Sequence, residues 1–444
     1  MLLVTLVLFS LFVVFQVLYI FVPIFSVRME NKVKFAEKEK PISIIVPAFN
    51  EGKIIENCLN GIKNLKYDHF EAIFVNDGSK DDTFQKLNSL LDLKLESSSA
   101  VGKLKHKIIQ GVYRSSHFPN IRVINKSNGG KADALNAGIE YAMSDIVITL
   151  DADSVLDSNA LKAINTSFMD ESVIAAGGVV QIGQGYRGSY HKPEPSFVTK
   201  GIIRYQIIQY MTAFYLHKWT QSKFQSMTVI AGAFGAFRKK ALFEAEGYRN
   251  TVGEDMDITL RMQRLIKMKY KKSRMVFVPQ AICYTECPST FKDLLSQRIR
   301  WQKAFIDCIW TYRTSFFRKM GVRASLYLIL DSLLLGTLNA FIMVFIPLTI
   351  LLNPETLLIA AMLLTFTFIL ACYQSIAALL IGGRFDIRYK SKDYGRLAVF
   401  IPLEIVTYRL LGLLFVISGT ILYFKNRKGW NVSRRVGVSY QTFD

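Results

Sequence analysis

Hydrophobic residues are concentrated in two blocks at the ends of the chain, with shorter apolar runs between them. Residues 1–26 contain no Asp, Glu, Lys or Arg, and the basic residues Arg28 and Lys32 follow directly. A helix of this length can cross the hydrocarbon core of a bilayer, which is about 30 Å thick. A cleaved signal peptide is the alternative, but no basic segment precedes the run and no small-residue cleavage site ends it. The pattern therefore predicts a retained transmembrane helix over residues 1–26.

The second apolar block, residues 325–424, predicts about three further membrane segments. Two runs, 325–352 and 356–382, are separated by a short polar turn and predict a helical hairpin. The loop 383–396 and the residues after Ser26 are both basic. The positive-inside rule therefore places both in the cytoplasm, together with the region between the two blocks.

The third run of this block, residues 397–424, carries Pro402, Glu404 and Arg409. Charged side chains are costly at the centre of a bilayer. The run therefore either crosses with these charges paired in a bundle or lining a channel, or it lies at the interface or re-enters, with a break near Pro402. The side on which the basic tail, residues 425–444, lies depends on this choice.

Between the blocks, short β-rich runs alternate with helix-like stretches, which predicts an α/β domain over residues 40–286 with a mostly parallel sheet and helices on both faces. The predicted strands are 42–48, 70–76, 121–125, 145–150 and 173–182, and the predicted helices are 51–65, 81–93, 131–143 and 157–168. Residues 94–120 fit this alternation poorly and are interpreted as a surface insertion or a short additional helix. Ligands of such sheets bind at the carboxyl ends of the strands.

Composition narrows the class of protein. The 444 residues are 51% hydrophobic with 32 Phe and 20 Tyr, which excludes intrinsic disorder. The formal net charge of +20 fits either a nucleic-acid binder or a membrane protein with basic cytoplasmic surfaces. Because the basic residues cluster around the apolar blocks, we expect a lipid membrane and no nucleic acid as partner. The five cysteines are scattered, which fits a reduced cytoplasmic setting and gives no zinc motif.

Acidic residues follow several of the predicted strands. Asp77 comes after the second strand, Asp151 and Asp153 come after the fourth, and Glu254 and Asp255 precede a helix-like run. In extended backbone, residues two apart point to the same side. Two such carboxylates suit a hard divalent ion that also holds phosphate oxygens, although a solvated turn is the alternative for an isolated pair of this kind.

Two other segments carry candidate binding residues. Asn128, Gly129 and Gly130 precede Lys131 at the start of a predicted helix, an arrangement suited to an anion such as phosphate. Residues 287–323 mix aromatic and basic residues just before the second apolar block and predict amphipathic helices at the membrane interface. Gln297, Arg300 and Trp301 belong to this stretch, and ordinary interface anchoring is the alternative interpretation for them.

Together these residues resemble the family 2 glycosyltransferases, inverting GT-A enzymes that include the poly-N-acetylglucosamine, chitin, hyaluronan and cellulose synthases. The resemblance covers roughly residues 40–315. Its motifs occur in the family's order: Pro47-Ala48 with Glu51, Asp77-Gly78-Ser79, Asp151-x-Asp153, Glu254-Asp255 and Gln297-x-x-Arg300-Trp301. Gly253 stands where the family usually has Thr, which leaves the two carboxylates after it intact.

The resemblance implies a role for each motif. Ala48, Glu51 and Asp77 would line the uridine pocket, with Lys131 near the nucleotide. Asp151 and Asp153 would hold the sugar diphosphate through Mg²⁺ or Mn²⁺, with Asp153 the more direct ligand.

The remaining motifs would serve the reaction itself. Asp255, preceded by Glu254, would be the general base, and Gly232 would begin the acceptor-site loop. Gln297, Arg300 and Trp301 would contact the diphosphate and the acceptor sugar.

The resemblance implies a multi-pass cell-membrane enzyme with a cytoplasmic catalytic domain. Its expected reaction is transfer from a UDP-sugar, with UDP-N-acetylglucosamine as the first choice, to a β-linked polysaccharide in a processive reaction coupled to export. A non-processive transferase that makes a glycolipid, and an inert transferase-like transporter or sensor, are the alternatives. Asp331, Glu404 and Arg409 would either line the export path or pair within the bundle. The resemblance also leaves open a small accessory membrane subunit.

Overall fold

The computed structural model describes residues 2–27, 34–189 and 192–426. Among these, one compact α/β unit takes residues of 34–193 and 227–286, and one compact helical unit takes residues of 2–27, 194–226 and 287–426. The region predicted as one catalytic domain, 40–286, is therefore not continuous, because residues 194–226 belong to the helical unit. Arg28, Lys32 and residues 427–444 of the predicted basic tail lie outside the described residues.

The strands are short and the helices vary widely in length. The strands are β1 (Ile42–Ala48), β2 (Phe70–Asp77), β3 (Leu93–Leu95), β4 (Ile109–Ser115), β5 (Ile121–Lys126), β6 (Ile146–Leu150), β7 (Ser154–Leu156), β8 (Val173–Ile182), β9 (Tyr186–Ser189), β10 (Lys192–Pro195), β11 (Phe234–Arg238) and β12 (Arg274–Thr285). The helices are α1 (Leu2–Ser26), α2 (Ile55–Lys63), α3 (Thr83–Leu91), α4 (Lys131–Tyr141), α5 (Ala160–Phe168), α6 (Gly201–Thr212), α7 (Trp219–Lys223), α8 (Lys239–Glu244), α9 (Glu254–Met268), α10 (Phe291–Tyr312), α11 (Val322–Leu326), α12 (Asn339–Val344), α13 (Ile346–Leu352), α14 (Leu357–Gly383) and α15 (Ser391–Lys425). π-Helical segments, Ala213–Lys218 and Tyr327–Leu338, join α6 to α7 and α11 to α12.

The α/β unit is built on one mixed sheet with the order β3-β4-β5-β2-β1-β6-β11-β8-β12-β7. The four strands β5, β2, β1 and β6 are parallel, and β8 is parallel to β12. Every residue of β6 and β8 is buried, as expected for strands covered by helices on both faces. The predicted fold class, an α/β domain of the GT-A kind beside apolar helices, is confirmed, and each predicted strand begins and ends within one residue of an observed one.

Residues 94–120 contain no helix, so of the two alternatives for this stretch the helix is wrong. They contribute most of β3 and all of β4, which extend the sheet at one edge in antiparallel pairing, β4 with β5 and β3 with β4. Edge strands are half exposed and commonly carry charged residues that hinder pairing with other chains. Lys94 and Arg114 lie on these two strands, in keeping with their position at the edge of the sheet.

The helical unit contains four segments long and apolar enough to cross a membrane: Thr5–Ser26, Val322–Val344, Pro354–Gly383 and Ser391–Lys425. They match the predicted N-terminal helix and three C-terminal segments, and they indicate a membrane protein. Only 6–28% of the residues in the most apolar window of each segment are buried, as expected for helices surrounded by lipid tails.

The helix α15 continues through Pro402 for 35 residues, so the break considered at that proline is absent. Its length is about 52 Å at 1.5 Å per residue, which exceeds the thickness of a bilayer core. Within the helix, Arg409 Nε lies 3.3 Å from Glu404 Oε2, and Glu404 is buried. The two charges are therefore paired in the bundle, as one of the alternatives predicted.

Candidate active site

The carboxyl ends of β1, β2 and β6 meet at one edge of the sheet because these strands are parallel and adjacent. Ala48, the last residue of β1, is opposite Asn76 of β2, and Asp151 directly follows β6. Ala48 is buried at the end of its strand. The strand-end rule thus places Ala48, Asp77 and Asp151 on the same edge of the α/β unit.

The segment after β1 is hydrogen-bonded to the segment after β2. The Glu51 amide donates a hydrogen bond of 2.9 Å to Thr83 Oγ1, and Asn50 Oδ1 accepts one of 2.8 Å from the Lys80 amide. Asn50 adopts a φ of 57°, a left-handed conformation that asparagine tolerates better than most residues. Glu51 is buried, so these hydrogen bonds hold its side chain within the protein at the carboxyl edge of the sheet rather than in solvent.

Asp77 is almost fully buried, and its carboxylate is surrounded by donors. The amides of Gly129 and Gly130 donate to its two oxygens at 3.0 Å and 2.7 Å, and the Lys126 ammonium lies beside Oδ1. The same Lys126, which is fully buried, lies 2.6 Å from Asp133 Oδ1. The sequence predicts that the amides of these glycines contact an anion such as phosphate. In this structure they donate instead to the protein's own Asp77 carboxylate.

Lys131, the first residue of α4, joins two of the predicted acidic residues. Its Nζ lies 2.7 Å from Asp151 Oδ1 and 3.0 Å from Glu254 Oε1. Loss of water opposes its charge, but the carboxylates of Asp151, Glu254 and Asp255 outweigh that effect, so the pKa of Lys131 lies above its usual range. Lys131 remains a cation at all physiological pH values.

Asp255 and Glu254 begin α9, where the amide dipoles favour negative charge. Asp255 Oδ1 accepts a hydrogen bond of 2.8 Å from the Met256 amide, and Oδ2 accepts one of 3.3 Å from the Gly232 amide. A methyl group on Gly232 would lie 3.2 Å from Lys131 Nζ and 3.4 Å from Asp255 Cβ. Gly232 therefore permits the close approach of Lys131 and Asp255 to this loop.

Asp153 lies where β7 begins and is held by hydroxyl groups. Its Oδ1 accepts hydrogen bonds of 3.1 Å from Ser154 Oγ and 3.3 Å from Thr285 Oγ1. Ser154 and Thr285 are directly opposite on β7 and β12, so the strand pairing fixes them.

Burial, and then the nearby carboxylates of Asp153 and Asp151, raise the pKa of the Cys58 thiol, which is therefore unreactive.

The described residues contain no group of three or more His, Cys, Asp or Glu side chains that could hold a metal by themselves. Asp151 and Asp153 offer the carboxylate oxygens that Mg²⁺ and Mn²⁺ prefer. Mg²⁺ is commonly bound through one or two carboxylates together with substrate phosphates. This donor set fits an ion that is completed by a diphosphate.

Gln297, Arg300 and Trp301 lie on α10 of the helical unit, whereas the residues described above lie in the α/β unit. The Trp301 side chain is 39% exposed, and the Arg298 guanidinium lies 4.2 Å from the centroid of its ring. Arg298 and Lys303 are buried, so two of the basic residues of this predicted amphipathic interface segment, 287–323, pack inside the helical unit. Lys303 Nζ donates to the Asn426 carbonyl at 2.9 Å.

Three residues that hold the site were missing from the sequence prediction: Lys126, Ser154 and Thr285. Lys126 ends β5, so the rule that drew attention to Asp77 and Asp151 would have found it as well. Ser154 and Thr285 carry no such signal, because their approach to Asp153 depends on the pairing of β7 with β12.

Comparison with known proteins identifies the family. The model of glycosyl transferase family 2 matches residues 43–244, and that of glycosyl transferase family group 2 matches residues 146–379. The chain is 25% identical over 342 residues to a poly-beta-1,6-N-acetyl-D-glucosamine synthase of Staphylococcus aureus (strain COL), covering 74% of this chain and 72% of that one. It is 27% identical over 265 residues to the protein of the same name from Staphylococcus epidermidis, covering 59% of this chain and 53% of that one.

Among solved structures, a mannosyltransferase from Pyrobaculum calidifontis in complex with GDP-Man and Mn²⁺ aligns with a TM-score of 0.55 and 15% identity. The alignment covers 95% of this chain and 100% of that chain, which supports the GT-A fold. The family group 2 model alone covers more than half of the chain. The protein therefore belongs to the family 2 glycosyltransferases and is a glycosyltransferase.

Proposed function

We propose that the protein transfers a sugar, N-acetylglucosamine as the first choice, from its UDP derivative to a growing β-linked polysaccharide, with inversion at the anomeric carbon. The observation that carries this proposal is the cluster in which Lys131 bonds to Asp151 and Glu254 while Gly232 contacts Asp255. It combines a fixed cation for phosphate with a carboxylate for proton transfer. The names of the staphylococcal relatives support the choice of sugar and of polymer.

The donor would bind along the carboxyl edge of the sheet. Ala48, Glu51 and Asp77 would line the uridine pocket, as the resemblance implies. Asp77 would act there largely by holding the Gly129–Gly130 turn, because its carboxylate already accepts both amides. The turn in turn fixes Lys131, whose charge would face the diphosphate.

The same edge suits a divalent ion. Asp153, with Asp151, would hold Mg²⁺ or Mn²⁺ against the diphosphate. When bound, this ion supplies positive charge that offsets the charge developing on the UDP leaving group. Ser154 and Thr285 would keep the Asp153 carboxylate in one orientation.

Asp255 would act as the general base. The acceptor hydroxyl oxygen attacks the anomeric carbon as the bond from that carbon to the UDP phosphate oxygen breaks. Asp255 takes the hydroxyl proton in the same step, so the products are the extended β-glycoside and UDP. The amides of Gly232 and Met256 orient its carboxylate for this transfer, and Glu254 holds Lys131 beside it.

Gln297, Arg300 and Trp301 would contact the diphosphate and the acceptor sugar. An exposed indole ring is a suitable platform for a sugar, and Arg298 against one face of Trp301 fixes the orientation of that ring. A processive reaction requires such an acceptor platform, since the polymer must stay bound between transfers. Export of the polymer across the membrane would follow from the four helical segments.

The topology belongs to the same proposal. The loop between α14 and α15 and the whole α/β unit would be cytoplasmic, and the turn at Asn353 would be outside. Single cysteines introduced at Lys390 and at Asn353 in a cysteine-free background would test this with a membrane-impermeant maleimide on intact cells. We expect labelling at position 353 and none at 390, and the reverse pattern would contradict the topology. The accessory membrane subunit stays a prediction.

A donor screen tests the reaction itself. Membranes that contain the full chain would receive each radiolabelled UDP-sugar with Mg²⁺ or Mn²⁺, and products would be separated by size. We expect high polymer from UDP-N-acetylglucosamine and a loss of at least 100-fold in the Asp255→Asn variant, the range typical of a missing general base. The exposed carboxylate of Asp170 provides the control, and Asp170→Asn should leave the rate unchanged. Equal incorporation by Asp255→Asn would refute the base assignment, and a single-sugar glycolipid as the only product would refute the polymer.

A further inference from the structure

An apolar groove with a volume of about 540 Å³ lies between α14 and α15 of the helical unit. That volume is within the usual range for small-molecule sites, roughly 300–1,000 Å³. Its walls come from Ile376, Leu379 and Leu380 of α14 and from Leu397, Ala398 and Ile401 of α15. Ile376 and Leu380 are 47% and 67% exposed, so the groove is open at the surface of the helical unit.

One end of the groove is polar and positively charged. Arg388 and Tyr394 line it there, next to Gly383. Arg388 Nε donates to the Gly383 carbonyl at 3.2 Å, and this arginine forms no ion pair within the described residues. A guanidinium with free terminal N–H groups is well suited to bind a phosphate.

Two other basic residues near this end differ from Arg388. Lys390 lies 3.1 Å from Glu194, and Arg396 lies 2.6 Å from Asp393. Their charges are therefore already offset by carboxylates. Arg388 is the basic residue of this loop that lines the groove.

We propose that this groove binds an anionic phospholipid, with one acyl chain between α14 and α15 and the phosphate on Arg388. Both helices are long and apolar enough to cross a membrane, so lipid tails are the molecules that surround such a groove. Basic pockets between membrane helices commonly bind anionic head groups on the cytoplasmic side. Ala398 contributes only a methyl group to the lining of the groove.

Native mass spectrometry of the purified full chain in detergent tests this proposal. Phosphatidylglycerol and phosphatidylcholine with identical acyl chains would be added in turn, because they differ only in the head group. We expect phosphatidylglycerol to bind about tenfold more tightly, the effect of one charge-assisted contact. Arg388→Gln should abolish that preference, so that the two lipids bind equally.

Two substitutions on the same helix test the acyl-chain part. Ala398→Trp would fill the groove and should lower the binding of both lipids at least tenfold. Val399→Trp is the matched control, because Val399 is 78% exposed and does not line the groove, and it should bind as the unmodified protein does. Arg388→Gln leaves the helix packing intact, so it decides the question even if Ala398→Trp does not fold. Equal binding of the two lipids by the unmodified protein, or an unchanged preference in Arg388→Gln, would overturn the proposal.

Discussion

The substitution Lys126→Met tests the role of the buried cation that lies beside Asp77 in the candidate active site. The side chain of Lys126 is fully buried, and its Nζ lies 2.5 Å from Asp77 and 2.6 Å from Asp133. Methionine has a similar length but carries no charge. The substitution leaves two carboxylates no more than about 5 Å apart without their shared partner.

Breaking a buried ion pair by removing one partner typically costs about 3–5 kcal/mol. For a unit of this size, each kcal/mol lowers the unfolding midpoint by about 2–4 °C, so we expect a decrease of roughly 6–20 °C. Asp77 would also lose its orientation against the amides of Gly129 and Gly130. Transfer activity should therefore fall at temperatures at which the variant is still folded.

Thermal unfolding of the full chain in detergent, followed by differential scanning calorimetry, measures the midpoint of the α/β unit, which has no tryptophan among its described residues. Lys269→Met is the control, because Lys269 forms a pair with Glu244 at 2.9 Å at the surface and such pairs contribute about 0–1 kcal/mol. A midpoint for Lys126→Met within 2 °C of that control would refute the reasoning that this buried pair organises the site.

Three further substitutions test other parts of the structure. Asp153→Ala should raise the Mn²⁺ concentration needed for half-maximal transfer at least tenfold, whereas an unchanged metal titration would remove Asp153 from the metal site. Gly232→Ala should lower the transfer rate at least tenfold without a change in the unfolding midpoint, because the new methyl group would lie 3.2 Å from Lys131 Nζ. Gly177→Ala is the control in the same rate assay, because its methyl group would lie 3.6 Å from its nearest neighbours. Gly419→Val should lower the unfolding midpoint of the helical unit, because the new Cβ would lie 2.5 Å from the Gln302 Cβ on α10. Gly412→Val on the same helix is the control and should leave the midpoint unchanged, because a Cβ at that position has no neighbour within 4 Å. Equal midpoints for the two valine variants would contradict close packing of α10 against α15.

The motifs and the central strands could be predicted because their signals are local. An apolar strand followed by Asp77, or by Asp151 and Asp153, is visible in a few consecutive residues, and parallel strands bring such ends to one edge. The edge strands β3 and β4 escaped prediction because their stability comes from pairing with β5, which no short window contains. The same limit applies to α15, where packing along 35 residues keeps the helix continuous through Pro402.

The sequence by itself determined the family, the α/β fold and the four apolar segments, because each depends on residue types at short spacing. Only the tertiary structure decided what the charges contact. The amides expected to bind phosphate hold Asp77, Lys131 joins Asp151 to Glu254, and Arg409 pairs with Glu404. Ion pairs and hydrogen bonds act over a few ångströms between residues far apart in the chain, so their partners are set by the folded arrangement of strands and helices rather than by sequence order.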